Sequence, residues 1–281
     1  MKPELSSKAA SALLFMAALL AGCSATSASG PEDAARPVAR APRGHTLFAD
    51  YSKNHLYEVD AAGEIVWELP EVYGAWDAER LANGNTLIVA FSVSRVYEVD
   101  ARGEVIWSFD DLKNPYAASR LADGTTLIAD TFAGQVIVVD DAGEVTWRYQ
   151  ADIRPFDVEA TAASTFLVCD VLRDRVLEVN RRREVIWQVA NMPNAHDADR
   201  LPNGNTLITL RNKGQVIEVN PRGEVVWSVG GLKSPSDADR LADGNTLVAE
   251  NGRVAEYSPS GECVWKKGTS WAVEANRVAE R

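Results

Sequence analysis

Residues 77–107 read DAERLANGNTLIVAFSVSRVYEVDARGEVIW, and residues 197–227 repeat them as DADRLPNGNTLITLRNKGQVIEVNPRGEVVW. Each copy contains short runs rich in Val, Ile, Leu and Trp, which are separated by an Asn-Gly pair and by a second turn that ends in Gly. Such runs between turn residues are typical of short strands, and Asn-Gly favours a tight hairpin. The repeat therefore predicts a unit of four antiparallel strands, labelled A to D in chain order.

The same pattern recurs over residues 44–281, and a tryptophan marks strand D of every copy. The spacing is 40 residues, with a final spacing of 38, for Trp67, Trp107, Trp147, Trp187, Trp227 and Trp265. A unit of this size cannot bury its own faces, so the units must pack on one another. Six units around a channel predict an all-β fold, a six-bladed β-propeller with four-stranded antiparallel blades, and the even fourfold grouping argues against a β-solenoid.

The first blade has no obvious strand A, and two segments could supply it. The segment Glu274-Ala-Asn-Arg277-Val copies the acid, Ala, Arg and aliphatic pattern that marks strand A in other copies. The segment 38–44 also lies in register with later copies, but it contains Pro42 and no acid. We favour the C-terminal segment, because joining both chain ends within one blade protects the ring at its weakest seam.

The chain begins with a charged segment and an apolar run from Ala9 to Leu20, as secretory signals do. The run is too short to span a bilayer. It ends in Leu20-Ala-Gly-Cys23, which resembles the lipobox of bacterial lipoproteins. The resemblance implies that residues 1–22 are a cleaved signal peptide and that Cys23 is lipidated and anchors the protein to a membrane. Ser24 stands where an aspartate would imply inner-membrane retention, so we expect the outer membrane, facing the periplasm.

Composition and net charge indicate the organisation of the remaining segments and exclude some partners. Residues 23–43 are rich in Ala, Ser, Pro, Gly and Arg, which predicts a lipidated flexible tether ahead of a propeller domain at 44–281. The formal net charge of −11 argues against nucleic acid as a partner, and we expect a monomer. Cys169 and Cys263 stand where other copies place small or β-branched residues, so we expect both to be buried, without a disulfide.

Positions at which most copies carry the same type of residue are expected to stabilise the blade. We expect each strand D tryptophan to cap the contact with the next blade, with its N–H on a turn carbonyl. Strand A carries a recurrent acid and, three residues later, a recurrent arginine: Asp77, Asp157, Asp197, Asp237 and Glu274, with Arg80, Arg120, Arg200, Arg240 and Arg277. These charges most simply pair with each other within or between blades, although a carboxylate ring could instead hold a cation in the channel. We assign no metal ligand and no cofactor.

The residue just before each inner acid varies from copy to copy, and the larger ones are Trp76, Tyr116, Phe156 and His196. The loops before strand A and after strand B open on one face of a propeller, so these side chains are predicted to line a funnel at the channel mouth. The loops after strand B add aromatic residues, Tyr51, Phe91 and Phe132, and cationic residues, Lys53, His55, Arg173, Arg211 and Lys213. This combination would suit a small aromatic or anionic ligand, or a protein partner, unless the aromatic residues merely fill the funnel as core.

The segment from His196-Asp197 to Leu207-Ile208 resembles the repeat of bacterial arylsulfotransferase-like propellers, in which a His-Asp pair precedes a Leu-Pro-Asn-Gly-Asn turn. The segments Leu127–Asp130 and Gln135–Asp140 resemble NHL and PQQ-type propeller repeats. The sulfotransferase resemblance implies a catalytic histidine that accepts the sulfuryl group, and His196 is the matching residue here.

The other copies lack the supporting histidines of that family. A transfer histidine needs neighbours that activate it and neutralise the moving oxyanion. We therefore favour a non-catalytic binding or scaffolding lipoprotein of the cell envelope, with its ligand or partner at the channel mouth. The alternative is an arylsulfotransferase-like enzyme that transfers sulfate between phenolic compounds through His196.

Overall fold

A computed structural model describes residues 44–278. The predicted signal peptide, the lipidation of Cys23 and the tether lie outside these residues. Within them, six four-stranded antiparallel sheets form the predicted six-bladed β-propeller. No helix in this range is long and apolar enough to cross a membrane.

The first three blades follow the chain from its N-terminal side. Blade 1 contains β1 (His45–Asp50), β2 (His55–Val59), β3 (Ile65–Leu69) and the C-terminal strand β24 (Ala272–Val278). Blade 2 contains β4 (Ala75–Arg80), β5 (Thr86–Ala90), β6 (Arg95–Val99) and β7 (Val105–Phe109). Blade 3 contains β8 (Ala117–Arg120), β9 (Thr126–Asp130), β10 (Gln135–Val139) and β11 (Val145–Gln150).

The last three blades repeat this order. Blade 4 contains β12 (Pro155–Ala160), β13 (Phe166–Asp170), β14 (Arg175–Val179) and β15 (Val185–Ala190). Blade 5 contains β16 (Ala195–Arg200), β17 (Thr206–Leu210), β18 (Gln215–Val219) and β19 (Val225–Gly230). Blade 6 contains β20 (Asp237–Arg240), β21 (Thr246–Glu250), β22 (Arg253–Tyr257) and β23 (Cys263–Gly268). Short 3₁₀ turns follow strand B in four blades, at Tyr51–Lys53, Phe91–Val93, Thr131–Ala133 and Arg211–Lys213.

The C-terminal strand closes the ring, as the sequence predicts. β24 pairs antiparallel with β1, with Arg277 opposite Thr46 and Ala275 opposite Phe48. The strand A of blade 1 therefore comes from the far end of the chain, and backbone hydrogen bonds join the two ends within one sheet.

The core lies between the blades. Each strand B is buried along its whole length except at the first residue of β1, and each of six apolar clusters joins two neighbouring blades. In one of them, Trp147 of β11 packs on Phe166 of β13 with ring centroids 4.8 Å apart. A single blade could not bury these faces, so the ring is the unit that folds.

In four of the six blades, the strand D tryptophan donates its indole N–H to a turn carbonyl of the next blade, as predicted. The indole N–H of Trp187 donates to the carbonyl of Pro221 at 2.8 Å, and that of Trp227 donates to the carbonyl of Pro259 at 2.7 Å. Trp147 and Trp67 make the corresponding bonds. These hydrogen bonds join neighbouring blades.

The strand A arginines do not pair with the strand A acids, and that prediction is wrong. They pair with glutamates on strand C of the preceding blade: Arg80 with Glu58, Arg120 with Glu98, Arg200 with Glu178, Arg240 with Glu218 and Arg277 with Glu256. Residues three apart in a strand face opposite sides of the sheet, so an acid and an arginine at that spacing cannot meet within one strand. Across the blade interface, the acids accept from backbone N–H groups instead.

The two cysteines differ in environment. Cys169 is buried and Cys263 is exposed, and both are free thiols. The predicted absence of a disulfide holds, but the predicted burial of Cys263 is wrong, because this residue opens the outermost strand of blade 6.

Candidate functional site

Four of the predicted site residues meet where the A strands begin. The ring centroids are 4.5 Å apart for Trp76 and Tyr116, 4.3 Å for Tyr116 and Phe156, and 5.1 Å for Phe156 and His196. Trp76 also lies 5.7 Å from His196. Because blades 2 and 5 are opposite each other in a six-membered ring, this contact places both side chains on the axis.

Three further rings extend this group. The ring centroids are 5.2 Å apart for Tyr51 and Trp76, 4.7 Å for Phe91 and Tyr116, and 5.2 Å for Trp271 and Tyr51. We call the whole set the mouth cluster, and its members are Tyr51, Trp76, Phe91, Tyr116, Phe156, His196 and Trp271. The rings pack on one another and therefore cover this end of the channel.

β-bulges direct two of these side chains towards the axis. In the pairing of β4 with β5, Ala75 and Asp77 have partners and Trp76 has none. The pairing of β16 with β17 skips His196 in the same way. A bulge leaves one residue outside the ladder and changes the direction of its side chain. The position that varies between copies is thus the one that the backbone turns inwards.

His196 is buried and neutral. Its Nδ1 lies 3.2 Å from the carbonyl oxygen of Ser236, which can only accept, so Nδ1 carries the proton. Burial, and then the charge of Arg211, lower the pKa of His196 to about 3. The neutral imidazole therefore keeps Nε2 as a hydrogen-bond acceptor within the mouth cluster.

Arg211 is a cation without a carboxylate partner. Its Nη1 donates to the hydroxyl of Ser236, and its guanidinium carbon lies 5.3 Å from the ring centroid of Trp271. Across residues 44–278, no carboxylate forms an ion pair with it, and burial lowers its pKa. The indole N–H of Trp271 is likewise buried without a hydrogen-bond partner in this range. Arg211, Ser236 and His196 thus form one continuous polar edge of the mouth cluster.

Two other predicted cationic residues, His55 and Arg173, have contacts of their own. His55 is the first residue of β2, where its imidazole stacks on Tyr57 at 4.2 Å and its Nε2 lies 3.2 Å from Glu68. Arg173 forms an ion pair with the exposed carboxylate of Asp152. None of these contacts is with a member of the mouth cluster. His55 belongs to strand C, and its partners lie on β2 and β3.

Trp271 is the mouth residue that the sequence comparison missed. It precedes Val273, which occupies the compared position in blade 1, and it therefore falls outside the column of variable residues. The sequence did contain a signal for this residue. Trp271 lies in the loop before the closing strand and does not belong to the regularly spaced tryptophans of strand D.

Two rows of carboxyl groups line the channel below the mouth cluster. They surround a cavity of about 200 Å³. The first row is Asp77, Asp157, Asp197, Asp237 and Glu274, and the second row is Glu79, Glu159, Asp199 and Asp239. The second row was missed because the comparison of copies stopped at the first recurrent acid.

The first row joins neighbouring blades. Asp77 Oδ2 accepts from the backbone N–H of Ala118 at 2.7 Å, and Asp237 Oδ2 accepts from that of Ala275 at 2.9 Å. Burial raises the pKa of Asp77 to about 8 and that of Asp157 to about 7. Neutral carboxyl groups in this row would relieve the repulsion between its members.

Comparison with known proteins supports the fold and part of a family resemblance. The PQQ_2 family model, described as outer membrane protein assembly factor BamB, matches residues 52–173, which is less than half of the chain. The PQQ-type resemblance is confirmed over those residues. No curated protein matches the sequence.

Solved structures with this architecture are distant in sequence. A Bacteroides caccae protein of unknown function is 16% identical, with a TM-score of 0.73 over 83% of this chain and 98% of its own. A streptogramin B lyase is 9% identical, with a TM-score of 0.63 over 80% of this chain and 79% of its own. Virginiamycin B lyase from Staphylococcus aureus is 8% identical, with a TM-score of 0.61 over 80% of this chain and 81% of its own. At these identities the likeness establishes the propeller fold alone.

Proposed function

We propose that this chain is a non-catalytic binding protein of the cell envelope, whose mouth cluster binds an anionic group carried on an aromatic body. The observation that carries the proposal is the unpaired guanidinium of Arg211 beside the rings of the mouth cluster. An anionic ligand would provide the missing counter-charge, and the rings would contact its aromatic part.

The polar edge of the cluster suits a carboxylate, sulfate or sulfonate. Arg211 has further N–H groups beyond the one bonded to Ser236, and the indole N–H of Trp271 is without a partner among the described residues. Nε2 of His196 can accept from a hydroxyl or amide N–H on the same ligand. Because the chain as a whole is acidic, with a net charge of −11, attraction of an anion depends on this local cation.

Binding is favoured over transfer chemistry because of what surrounds His196. Its ring contacts are with Trp76, Tyr116 and Phe156, and none of these is a base that could activate it. Its Nδ1 bonds to a backbone carbonyl rather than to a carboxylate. A nucleophilic histidine is normally oriented and made more basic by such a carboxylate, whereas a pKa of about 3 describes a weak base.

The location in the envelope rests on the lipobox resemblance at Cys23 and on a family match whose description names an outer membrane assembly factor. Metabolic labelling with radioactive palmitate tests it. We expect label on the wild-type protein in the outer-membrane fraction and none on Cys23→Ala. A soluble, unlabelled wild-type protein would refute the lipid anchor.

Isothermal titration with 4-nitrophenyl sulfate tests the ligand site. We expect binding that weakens at least tenfold in Arg211→Gln, the loss of a charged hydrogen bond being worth about 1.5–3 kcal/mol. The matched control is Arg173→Gln, which removes an arginine whose contact is with Asp152 and should bind as the wild type does. Equal affinity in all three proteins would rule out the mouth cluster. Transfer of the sulfuryl group from 4-nitrophenyl sulfate to an added phenol, with release of nitrophenolate, that is lost in His196→Ala would establish the sulfotransferase alternative instead.

A further inference from the structure

The exposed large apolar side chains fall into two groups. One group recurs at the first two positions of strand D in most blades, as Val105 and Ile106 do, and therefore belongs to the repeat. The other group lies on loops before strand A or after strand B, which form the mouth face of the ring. Its members, each 47–57% exposed, are Tyr73, Val93, Phe132 and Leu172. We call these four residues the apolar arc.

The repeat shows that the apolar arc is specific to a few blades. Phe132 and Leu172 occupy the second position after strand B. At this position the other four blades carry small or polar residues, namely Ser52, Ser92, Asn212 and Gly252. The blade therefore does not need a large apolar group there. Exposed apolar side chains grouped on one face and rimmed by polar residues are typical of an interaction site.

The apolar arc continues the mouth cluster on the side away from its polar edge. Loops of blades 2, 3 and 4 supply the arc, whereas Arg211 belongs to blade 5. Ring contacts lead from His196 through Tyr116 and Phe91 to Phe132, with centroid distances of 6.5, 4.7 and 6.4 Å. The mouth face thus presents an anion-binding edge, then a floor of rings, and then an apolar border.

A ligand that uses both the polar edge and the apolar arc is long and carries its charge at one end. An extended polypeptide advances about 3.3 Å per residue, so about five residues span the path from His196 to Phe132. The C-terminus of a polypeptide carries one carboxylate, an amide N–H on the same residue, and further side chains before it. These groups match the guanidinium of Arg211, the acceptor Nε2 of His196 and the apolar arc. A fatty acid has no N–H group for His196.

We propose that the mouth face binds the C-terminal segment of a polypeptide whose last residue is aromatic. The terminal carboxylate contacts Arg211 and the indole N–H of Trp271, which has no hydrogen-bond partner within residues 44–278. Exposed Lys213 and Lys233 lie on loops of blades 5 and 6 and add positive charge at this end. The aromatic side chain packs on the mouth cluster, and the preceding residues cross the apolar arc. This inference rests on the anion site proposed above, because both need the guanidinium of Arg211.

Isothermal titration with the peptide acetyl-Val-Ser-Leu-Ser-Tyr, which has a free C-terminal carboxylate, tests the proposal. We expect the wild-type protein to bind the same peptide with a C-terminal amide at least tenfold more weakly, because the amide loses the charged hydrogen bond to Arg211. N-acetyltyrosine is too short to reach the apolar arc and should bind at least fivefold more weakly than the peptide.

Two double variants test the apolar arc. Phe132→Ser/Leu172→Ser should bind the peptide at least fivefold more weakly and should bind 4-nitrophenyl sulfate as the wild type does. The matched control, Ile106→Ser/Ile186→Ser, removes two apolar side chains of similar exposure from strand D and should bind both ligands as the wild type does. Circular dichroism checks that each variant is folded, and Leu172→Ser alone replaces the arc variant if it is not.

Three results would each overturn the proposal: equal affinity for the acid and the amide, equal peptide binding by the arc and control variants, or tighter binding of decanoate than of the peptide. Binding of 4-nitrophenyl sulfate without any binding of the peptide would refute the peptide site alone. Failure of both ligands to bind would refute the anion site itself.

Discussion

Replacing Asp239 by Asn should stabilise the protein, and the gain should depend on pH. Burial raises the pKa of Asp239 from 3.8 to about 6. The folded state therefore holds this proton more tightly than the unfolded state. The resulting stabilisation is present in full below about pH 3.8, is lost as the pH rises, and is gone above about pH 6.

The magnitude follows from that interval. Ionising a carboxyl group whose pKa has moved from 3.8 to about 6 costs the folded state about 3 kcal/mol, at about 1.4 kcal/mol per pH unit. Water in the adjoining cavity screens the charge, so we expect about 2 kcal/mol. Asparagine is neutral at every pH and nearly the same size, so Asp239→Asn should avoid this destabilisation at pH 7.5 and change little near pH 4.

Urea unfolding, followed by tryptophan fluorescence, measures the effect. With a slope of about 3 kcal/mol per molar urea, about 2 kcal/mol moves the midpoint up by about 0.7 M at pH 7.5. Asp141→Asn, on the exposed surface, should leave the midpoint unchanged at both pH values. A gain of the same size at pH 4 and pH 7.5, or a loss at pH 7.5, would refute the reasoning.

Three predictions concern the scaffold. Trp227→Phe removes the indole N–H bonded to the next blade at 2.7 Å and should lower the free energy of unfolding by about 1 kcal/mol, measured in urea. Gly214→Ala should destabilise by at least 2 kcal/mol more than Gly231→Ala, because both glycines have positive φ but only the new Cβ at 214 would lie 2.5 Å from the carbonyl oxygen of Leu232; equal thermal midpoints would contradict this. Deleting β24 should open the ring, and limited proteolysis should then cut blade 1 first; unchanged resistance would show that β24 is dispensable.

Much of the fold could be predicted because its signals are local. The Asn-Gly pairs, the spacing of Trp67 and its counterparts, and the copied strand A pattern at Glu274–Val278 each report on a few neighbouring residues. Turn conformation and strand formation depend on such short stretches. The number of blades and the closing strand followed from counting them.

The charged network was harder to predict. Comparison of copies placed Asp77 and Arg80 in one pattern, yet Arg80 pairs with Glu58 of the preceding blade and Asp77 accepts from the backbone of Ala118 in the following one. Both partners lie across a blade interface. Which partner each residue takes depends on the side of the sheet that it faces. An alignment of the repeat copies does not show this.

The sequence alone thus determined the four-stranded blade, the number of blades and the strand that closes the ring. Hairpins and repeats are encoded within 40 residues, so these features can be read locally. Only the tertiary structure decided that Trp76 meets His196 across the axis, that Trp271 joins them while His55 does not, and that a second row of carboxyl groups lines the channel. Those outcomes depend on the closing of the ring and on the direction of single side chains. Both bring together groups that are far apart in the chain, where local sequence carries no information about distance.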